Sequence, residues 1–168
     1  NILYWGFGFL RMGTTGLTAQ AYGEKNRDKS SLILSRSFLV ALIGGLLIVL
    51  LQTPIEWLSF KIVEGSSEVE TFAREYFYIR IFAAPATLSL YVLTGWFLGM
   101  QNAKVPMIIT VVVNVVNIIL NYTFIYIFDL KSDGVAWGTL IAQYLGLLIG
   151  LYYLFRHYRS YVKVWSFK

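Results

Sequence analysis

Three asparagines in the second half of the chain have the spacing of a polar site. Asn114, Asn117 and Asn121 are separated by three and four residues within an otherwise apolar segment. On an α-helix this spacing places the three carboxamides on one stripe. A carboxamide both donates and accepts hydrogen bonds, so the stripe can bind water, a cation or a polar substrate. The next apolar segment adds Thr139 and Gln143, and these five residues are the candidate substrate- or cation-binding residues.

A purely structural role is the alternative for each of these residues. Asparagines also hydrogen-bond neighbouring helices to one another in membranes, and we favour that role for Asn114 taken alone. A threonine inside a membrane helix commonly bonds to its own backbone, which is the default expectation for Thr139. For the three asparagines together we favour the lining of a solvated cavity, because polar groups in hydrocarbon tend to face water or a bundle interior.

The segments that carry these residues are long enough to cross a bilayer. Of the 168 residues, 57% are hydrophobic and only 14% are charged. Four stretches contain no charged residue at all, namely 37–55, 81–103, 105–128 and 134–155. A hydrocarbon core takes about 20 helical residues, and a helix satisfies its own backbone polar groups. The sequence therefore predicts an all-α, polytopic membrane protein rather than a soluble domain.

Five membrane-spanning helices are predicted, at about 1–22, 31–52, 68–100, 105–128 and 134–156, with a loop over 52–67. Short connections make neighbouring helices antiparallel within one bundle. The chain opens with Asn1 inside an apolar run, so we expect a fragment that begins partway into its first helix. Pro85 predicts a kink in the helix over 68–100, and Glu70 and Arg74 are expected to pair on its surface.

The basic residues predict an orientation, because Lys and Arg concentrate in cytoplasmic loops. Most of them fall in loops 23–30 and 101–104 and in the tail after residue 155, which alternating helices place on one side. The fragment is therefore expected to start outside and to end in the cytoplasm. The aromatic, basic tail, which includes Lys163 and Lys168, predicts an anchor on anionic lipid, and no nucleic-acid partner is expected.

The composition does not favour a catalytic site or a metal site. The chain has no cysteine and one histidine, His157, which lies in the tail. A thiolate nucleophile and a metal site are therefore not expected. Asp and Glu are absent from the four charge-free stretches. We predict that the protein is not an enzyme, that it has no catalytic or metal-binding residues and that it carries no cofactor.

Several motifs resemble one family of membrane transporters. Residues 9–21, FLRMGTTGLTAQA, followed by a charged loop, resemble the second helix of DinF-type members of the MATE (multidrug and toxic compound extrusion) family. The resemblance continues through 84–86, 95–101, the asparagine stripe and 134–139. It implies a twelve-helix transporter made of two six-helix lobes. This chain then represents helices 2–6 of the N-terminal lobe, and its partners are the missing helix 1, the C-terminal lobe and the lipid bilayer.

The resemblance also implies a function. Such proteins are secondary antiporters of the bacterial cytoplasmic (inner) membrane that export organic cations, drugs or amphipathic metabolites, driven by the coupling ion H⁺ or Na⁺. In DinF-type members an Asn and an Asp lie four apart on helix 5, and a Thr lies on helix 6. Asn117 matches that Asn and Thr139 matches that Thr, but Asn121 stands where the Asp is expected. Because an amide does not take up a proton, a proton-coupled protein would need its titrating group on helix 1 or in the second lobe.

Two other functions stay open on the sequence. A lipid-linked precursor flippase of the same superfamily would need a more cationic cavity, whereas Arg11 is the only basic residue deep in a predicted span. An inert truncated membrane fragment is the other alternative, and the asparagine stripe disfavours it.

Overall fold

The computed structural model describes residues 6–62 and 67–162, and within them the regular structure is helical. In chain order the helices are α1 (Gly8–Gly23), α2 (Arg27–Leu50), α3 (Gln52–Ile62), α4 (Ser67–Ile81), α5 (Ala84–Gly99), α6 (Lys104–Tyr126), α7 (Ser132–His157) and α8 (Arg159–Val162). The prediction of an all-α, polytopic membrane fold is confirmed.

Three of these helices, α2, α6 and α7, are long and apolar enough to cross a membrane. A fourth span results if the bent pair α4–α5 is counted as one. Helix α1 has 16 residues and is shorter than a full span. The predicted beginning of the first helix, at 1–5, lies outside the described residues, so a fifth span stays a prediction.

Helix α5 is the centre of the bundle and packs against α1, α2 and α7. Its Leu88, Val92, Leu93, Trp96 and Phe97 are completely buried. Helix α6 lies at the edge, packed mainly on α7. Its outward face is apolar and exposed at Val111, Val115, Ile118, Ile119 and Tyr122. An apolar outer face is what a helix in contact with hydrocarbon requires, because lipid offers no hydrogen bonds to polar groups.

The helix predicted over 68–100 is in fact broken, with a bend of 52° between α4 and α5. Pro85 lies in the first turn of α5, where a residue without an N–H loses no helical hydrogen bond. Helix α2 passes so close to this turn that a Cβ on Gly45 would lie 2.5 Å from the Cα of Pro85. The expected kink is therefore a helix break, and it is packed directly against α2.

The predicted loop over 52–67 is wrong for Gln52–Ile62, which form α3. Pro54 falls in the first turn of α3, where it is compatible with a helix. The side chain of Glu56 is buried and forms an ion pair with Arg74 of α4. The predicted surface pair of Arg74 with Glu70 is therefore replaced by a contact between two helices. Glu56 and Arg74 are 18 residues apart and lie on different helices, so helical periodicity cannot predict that they pair.

The described part of the tail contacts the central helix α5. The rings of Tyr158 and Tyr161 lie edge-on to Trp96, with centroid distances of 5.2 and 5.7 Å. Asn102 Nδ2 donates to the Tyr158 hydroxyl at 2.9 Å, and Trp96 Nε1 donates to the Ser30 carbonyl at 3.1 Å. Tyr158 and Tyr161 thus pack on the bundle, and the lipid anchor stays a prediction. Lys163 and Lys168 lie outside the described residues.

Candidate functional site

The candidate site is a chain of hydrogen bonds between α6 and α7. Asn117 Nδ2 donates to Thr139 Oγ1 at 3.0 Å, and Asn121 Nδ2 donates to Asn117 Oδ1 at 3.2 Å. The Thr139 hydroxyl donates in turn to the carbonyl of Val135 at 2.9 Å. Asn117, Asn121 and Thr139 are all half-buried, and we call them the Asn–Thr cluster. The backbone bond expected for Thr139 is present, and it leaves the hydroxyl oxygen free to accept from Asn117.

One end of this chain carries an acceptor without a donor. Asn121 Oδ1 is buried and has no hydrogen-bond partner among the described residues. A buried acceptor left unpaired costs about 1–3 kcal/mol. A carboxamide oxygen can be satisfied by a water, by a protonated carboxyl group or by a cation. The donated hydrogen bonds therefore run in one direction, from Asn121 through Asn117 to Thr139. At the Asn121 end, Oδ1 is suited to accept a hydrogen bond or to bind a positive charge.

Gly138 makes room for that oxygen. A Cβ on Gly138 would overlap Asn121 Oδ1. The sequence alone does not distinguish Gly138 from the other glycines of α7. Its specific role follows from its position. Gly138 precedes Thr139, which is bonded to Asn117, and it faces Asn121, which lies one turn further along α6.

Gly138→Ala is expected to displace the Asn121 side chain and to weaken the packing of α7 on α6. The alanine methyl group occupies the space of Asn121 Oδ1, so the bond from Asn121 to Asn117 has to lengthen or break. Gly44→Ala is the matched control, because a Cβ there would meet its nearest neighbours at 3.4 and 3.5 Å, which is ordinary contact. Both changes raise helix propensity by about 1 kcal/mol. Gly138→Ala should therefore lower the thermal unfolding midpoint in detergent relative to Gly44→Ala, and equal midpoints for the two variants would contradict the assigned role of Gly138.

The other two predicted site residues are not part of the cluster. Asn114 is exposed on α6, and Gln143 is half-buried one turn beyond Thr139 on α7. Neither side chain forms a hydrogen bond with any residue in the part of the chain that the structure describes. The interhelical bond expected of Asn114 is therefore not seen among these residues. Both residues stay predictions as ligands.

Comparison with known proteins gives the family. The family model described as MatE matches residues 1–123, well over half of the chain. The chain belongs to the MATE family. DNA damage-inducible protein F of Escherichia coli (strain K12) is 48% identical over 143 residues, which are 85% of this chain and 31% of that protein. The human multidrug and toxin extrusion protein 1 is 37% identical over 153 residues, 89% of this chain and 26% of that protein.

Solved MATE structures share the fold. An inward-facing multidrug resistance MATE family transporter of the MOP superfamily superimposes with a TM-score of 0.86 at 25% identity, over 94% of this chain and 36% of that one. An outward-facing one gives a TM-score of 0.84 at 25% identity, over 93% and 35%. This MATE chain therefore spans about a third of the length of these relatives. The similar scores show that its bundle resembles the corresponding part of a MATE transporter in either state.

Proposed function

We propose that the chain is part of a secondary antiporter that exports organic cations, drugs or amphipathic metabolites across a bacterial cytoplasmic membrane. An inward gradient of H⁺ or Na⁺ drives the export. The observation that carries this proposal is the Asn–Thr cluster, which joins two membrane-long helices and ends at the unpaired Asn121 Oδ1. A neutral, oriented set of carboxamides can bind a cation or water without holding it as tightly as a carboxylate would. The names of the MATE relatives, multidrug resistance and toxin extrusion, support the same activity.

The chain is proposed to supply helices 2–6 of an N-terminal lobe. Helix 1 and a C-terminal lobe of the same protein complete the transporter, which is consistent with relatives about three times as long. The α1–α2 connection and the end of α7 face the cytoplasm, because the basic residues Lys25, Arg27, Lys29 and Arg156 lie there. No catalytic role is proposed, and the proposed ligands are the transported molecule and the coupling ion.

The test is ethidium efflux from liposomes that contain the intact protein, with H⁺ and Na⁺ gradients imposed one at a time. Efflux is expected to follow one of the two gradients and to stop when an ionophore collapses it. Efflux that proceeds equally without either gradient would exclude a secondary antiporter. Complete absence of efflux under both gradients would favour a flippase or a fragment without transport activity.

Asn121→Asp is expected to retain transport and to change its pH dependence. The wild-type carboxamide does not titrate, whereas a carboxyl group at this position can gain and lose a proton. The ratio of efflux rates between variant and wild type should therefore vary with pH. Asn114→Asp, on the same helix but exposed and outside the cluster, is the control. A ratio for Asn121→Asp that is constant across pH would refute the prediction.

A further inference from the structure

A second polar site lies between α3 and α4, at the opposite end of the bundle from Trp96 and the tail. It is a cavity of about 360 Å³ lined by Thr53, Glu56, Trp57, Phe60, Lys61 and Arg74. We call it the α3–α4 cavity. Its volume is at the lower limit of small-molecule sites, so it holds a compact polar group rather than a large ligand.

The charge of its acidic group is already compensated. The Glu56 carboxylate is buried, and it accepts hydrogen bonds from Arg74 Nη1 and from the Tyr78 hydroxyl. Taking two charges out of water is tolerable only when they are paired and hydrogen-bonded. Glu56 therefore serves to hold α3 on α4 and to fix the guanidinium of Arg74 at the cavity wall.

The cationic groups keep binding capacity. Lys61 forms no ion pair with a residue that the structure describes, and its Nζ lies 4.6 Å from the centroid of the Trp57 ring. The side chain of Arg74 is 46% exposed, so it has N–H groups left to donate beyond its bond to Glu56. Two cations and one carboxylate leave the lining with one net positive charge. An incoming anion would meet these donors without displacing any existing contact.

A cation would fit the same cavity poorly. One face of each of its two aromatic rings is already occupied, because Lys61 lies over Trp57 at 4.6 Å and Arg74 lies over Phe60 at 4.7 Å. The carboxylate of Glu56 already has two donors. An organic cation would have to displace Lys61 or Arg74 from the occupied ring faces, and it would face a lining of the same sign.

The surroundings of the cavity are apolar and suited to lipid. Large apolar side chains at the end of α2 and on α3 are exposed to between half and about three-quarters of their area: Leu50, Leu51, Trp57 and Leu58. Helix α3 has 11 residues, too few to cross a bilayer, and it directly follows the membrane-long α2. A short helix with Trp and Lys at the end of a span is typical of the membrane interface. The cavity therefore lies at the level of lipid headgroups.

We propose that the α3–α4 cavity binds the phosphodiester group of a membrane phospholipid. Lys61 and Arg74 bind the phosphate oxygens, and the acyl chains lie along Leu50, Leu51 and Leu58. One phosphodiester carries one negative charge, which balances the net charge of the lining. Arginine and lysine are the residues that bind phosphate most readily. The bound lipid would connect α3 to α4, which is the helix of the bent α4–α5 pair that precedes Pro85.

The experiment measures lipid binding to the intact, delipidated protein in detergent by native mass spectrometry. The probe is palmitoyl-oleoyl phosphatidylglycerol. Lys61→Gln is expected to weaken binding of the most tightly held lipid by about tenfold, as for a lost charge-assisted hydrogen bond. Lys131→Gln is the matched control, because Lys131 is an exposed lysine over an aromatic ring, 4.9 Å from Phe72, outside the cavity. Lys61 is exposed, so its replacement should leave the fold intact, whereas replacing Arg74 would leave Glu56 buried and unpaired.

Two further ligands separate the sources of the phosphate. Dioleoylglycerol has acyl chains without a phosphate, and inorganic phosphate has no acyl chains, so neither should displace phosphatidylglycerol. Equal binding by Lys61→Gln and wild type would overturn the proposal, as would equal losses for Lys61→Gln and Lys131→Gln. Displacement by inorganic phosphate would overturn the lipid assignment in favour of a free anion. Transport does not enter these measurements, so the proposal stands or fails independently of the antiporter function.

Discussion

Asn117→Leu is expected to reduce ethidium efflux by the intact protein by about fivefold or more, the effect of losing roughly 1–3 kcal/mol of hydrogen bonding at a half-buried polar site. Asn117 occupies the middle of the Asn–Thr cluster, where it donates to Thr139 and accepts from Asn121. Leucine has a similar size but offers neither bond. The change leaves Asn121 with no partner in the cluster, so its carboxamide loses the orientation that presents Oδ1. Efflux is measured in liposomes under the driving gradient.

The control for this experiment lies on the same helix. Asn114→Leu removes an equally polar side chain, but Asn114 is exposed and lies outside the cluster. It should therefore retain most of the efflux. The amount of protein incorporated is compared for both variants, which separates loss of transport from loss of expression. Equal activity of Asn117→Leu and Asn114→Leu would mean that the cluster only holds α6 to α7.

Trp96→Ala is expected to destabilise the protein by about 3–5 kcal/mol, the usual cost of deleting a buried large aromatic side chain. Trp96 is completely buried on the central helix. It donates to the Ser30 carbonyl of α2 and contacts the rings of Tyr158 and Tyr161. Its removal therefore loosens α2, α5 and the tail together. The thermal unfolding midpoint of the purified protein in detergent is the measurement.

Two variants show which part of this effect belongs to packing. Trp96→Phe keeps much of the ring contact but loses the hydrogen bond to Ser30. Losing the bond should lower the free energy of unfolding by about 1 kcal/mol, and the cavity left by the smaller ring should lower it further. Trp137→Ala is the control, because Trp137 is 45% exposed on α7 and should change the midpoint little. Similar shifts for Trp96→Ala and Trp137→Ala would contradict the central position of Trp96.

The sequence predicts the long helices well because the bilayer imposes a length. The charge-free stretches 105–128 and 134–155 correspond closely to α6 (Lys104–Tyr126) and α7 (Ser132–His157). The asparagine spacing also predicts correctly that Asn117 and Asn121 lie on one stripe. Helical periodicity is a local property, so it can be read without knowledge of the neighbouring helices.

Features that depend on contacts between helices could not be read in this way. Charge patterning alone pairs Arg74 with the nearby Glu70, and only packing shows that Glu56 of α3 is its partner. Glycines are frequent on membrane helices, and only the position of Asn121 distinguishes Gly138 from the others. The tail combines aromatic and basic residues, a pattern equally compatible with lipid and with the bundle, and only packing shows that Tyr158 and Tyr161 contact Trp96.

The most direct test of the proposed transport site is photoaffinity labelling of the intact protein with ethidium monoazide, followed by peptide mapping. If the Asn–Thr cluster lies on the path of the exported cation, label is expected on peptides from α6 and α7, and excess unlabelled ethidium should prevent it. Asn117→Leu should lower this labelling, and Asn114→Leu should not. Label confined to other helices, or label on α6 and α7 that ethidium does not displace, would contradict a role of the cluster in transport.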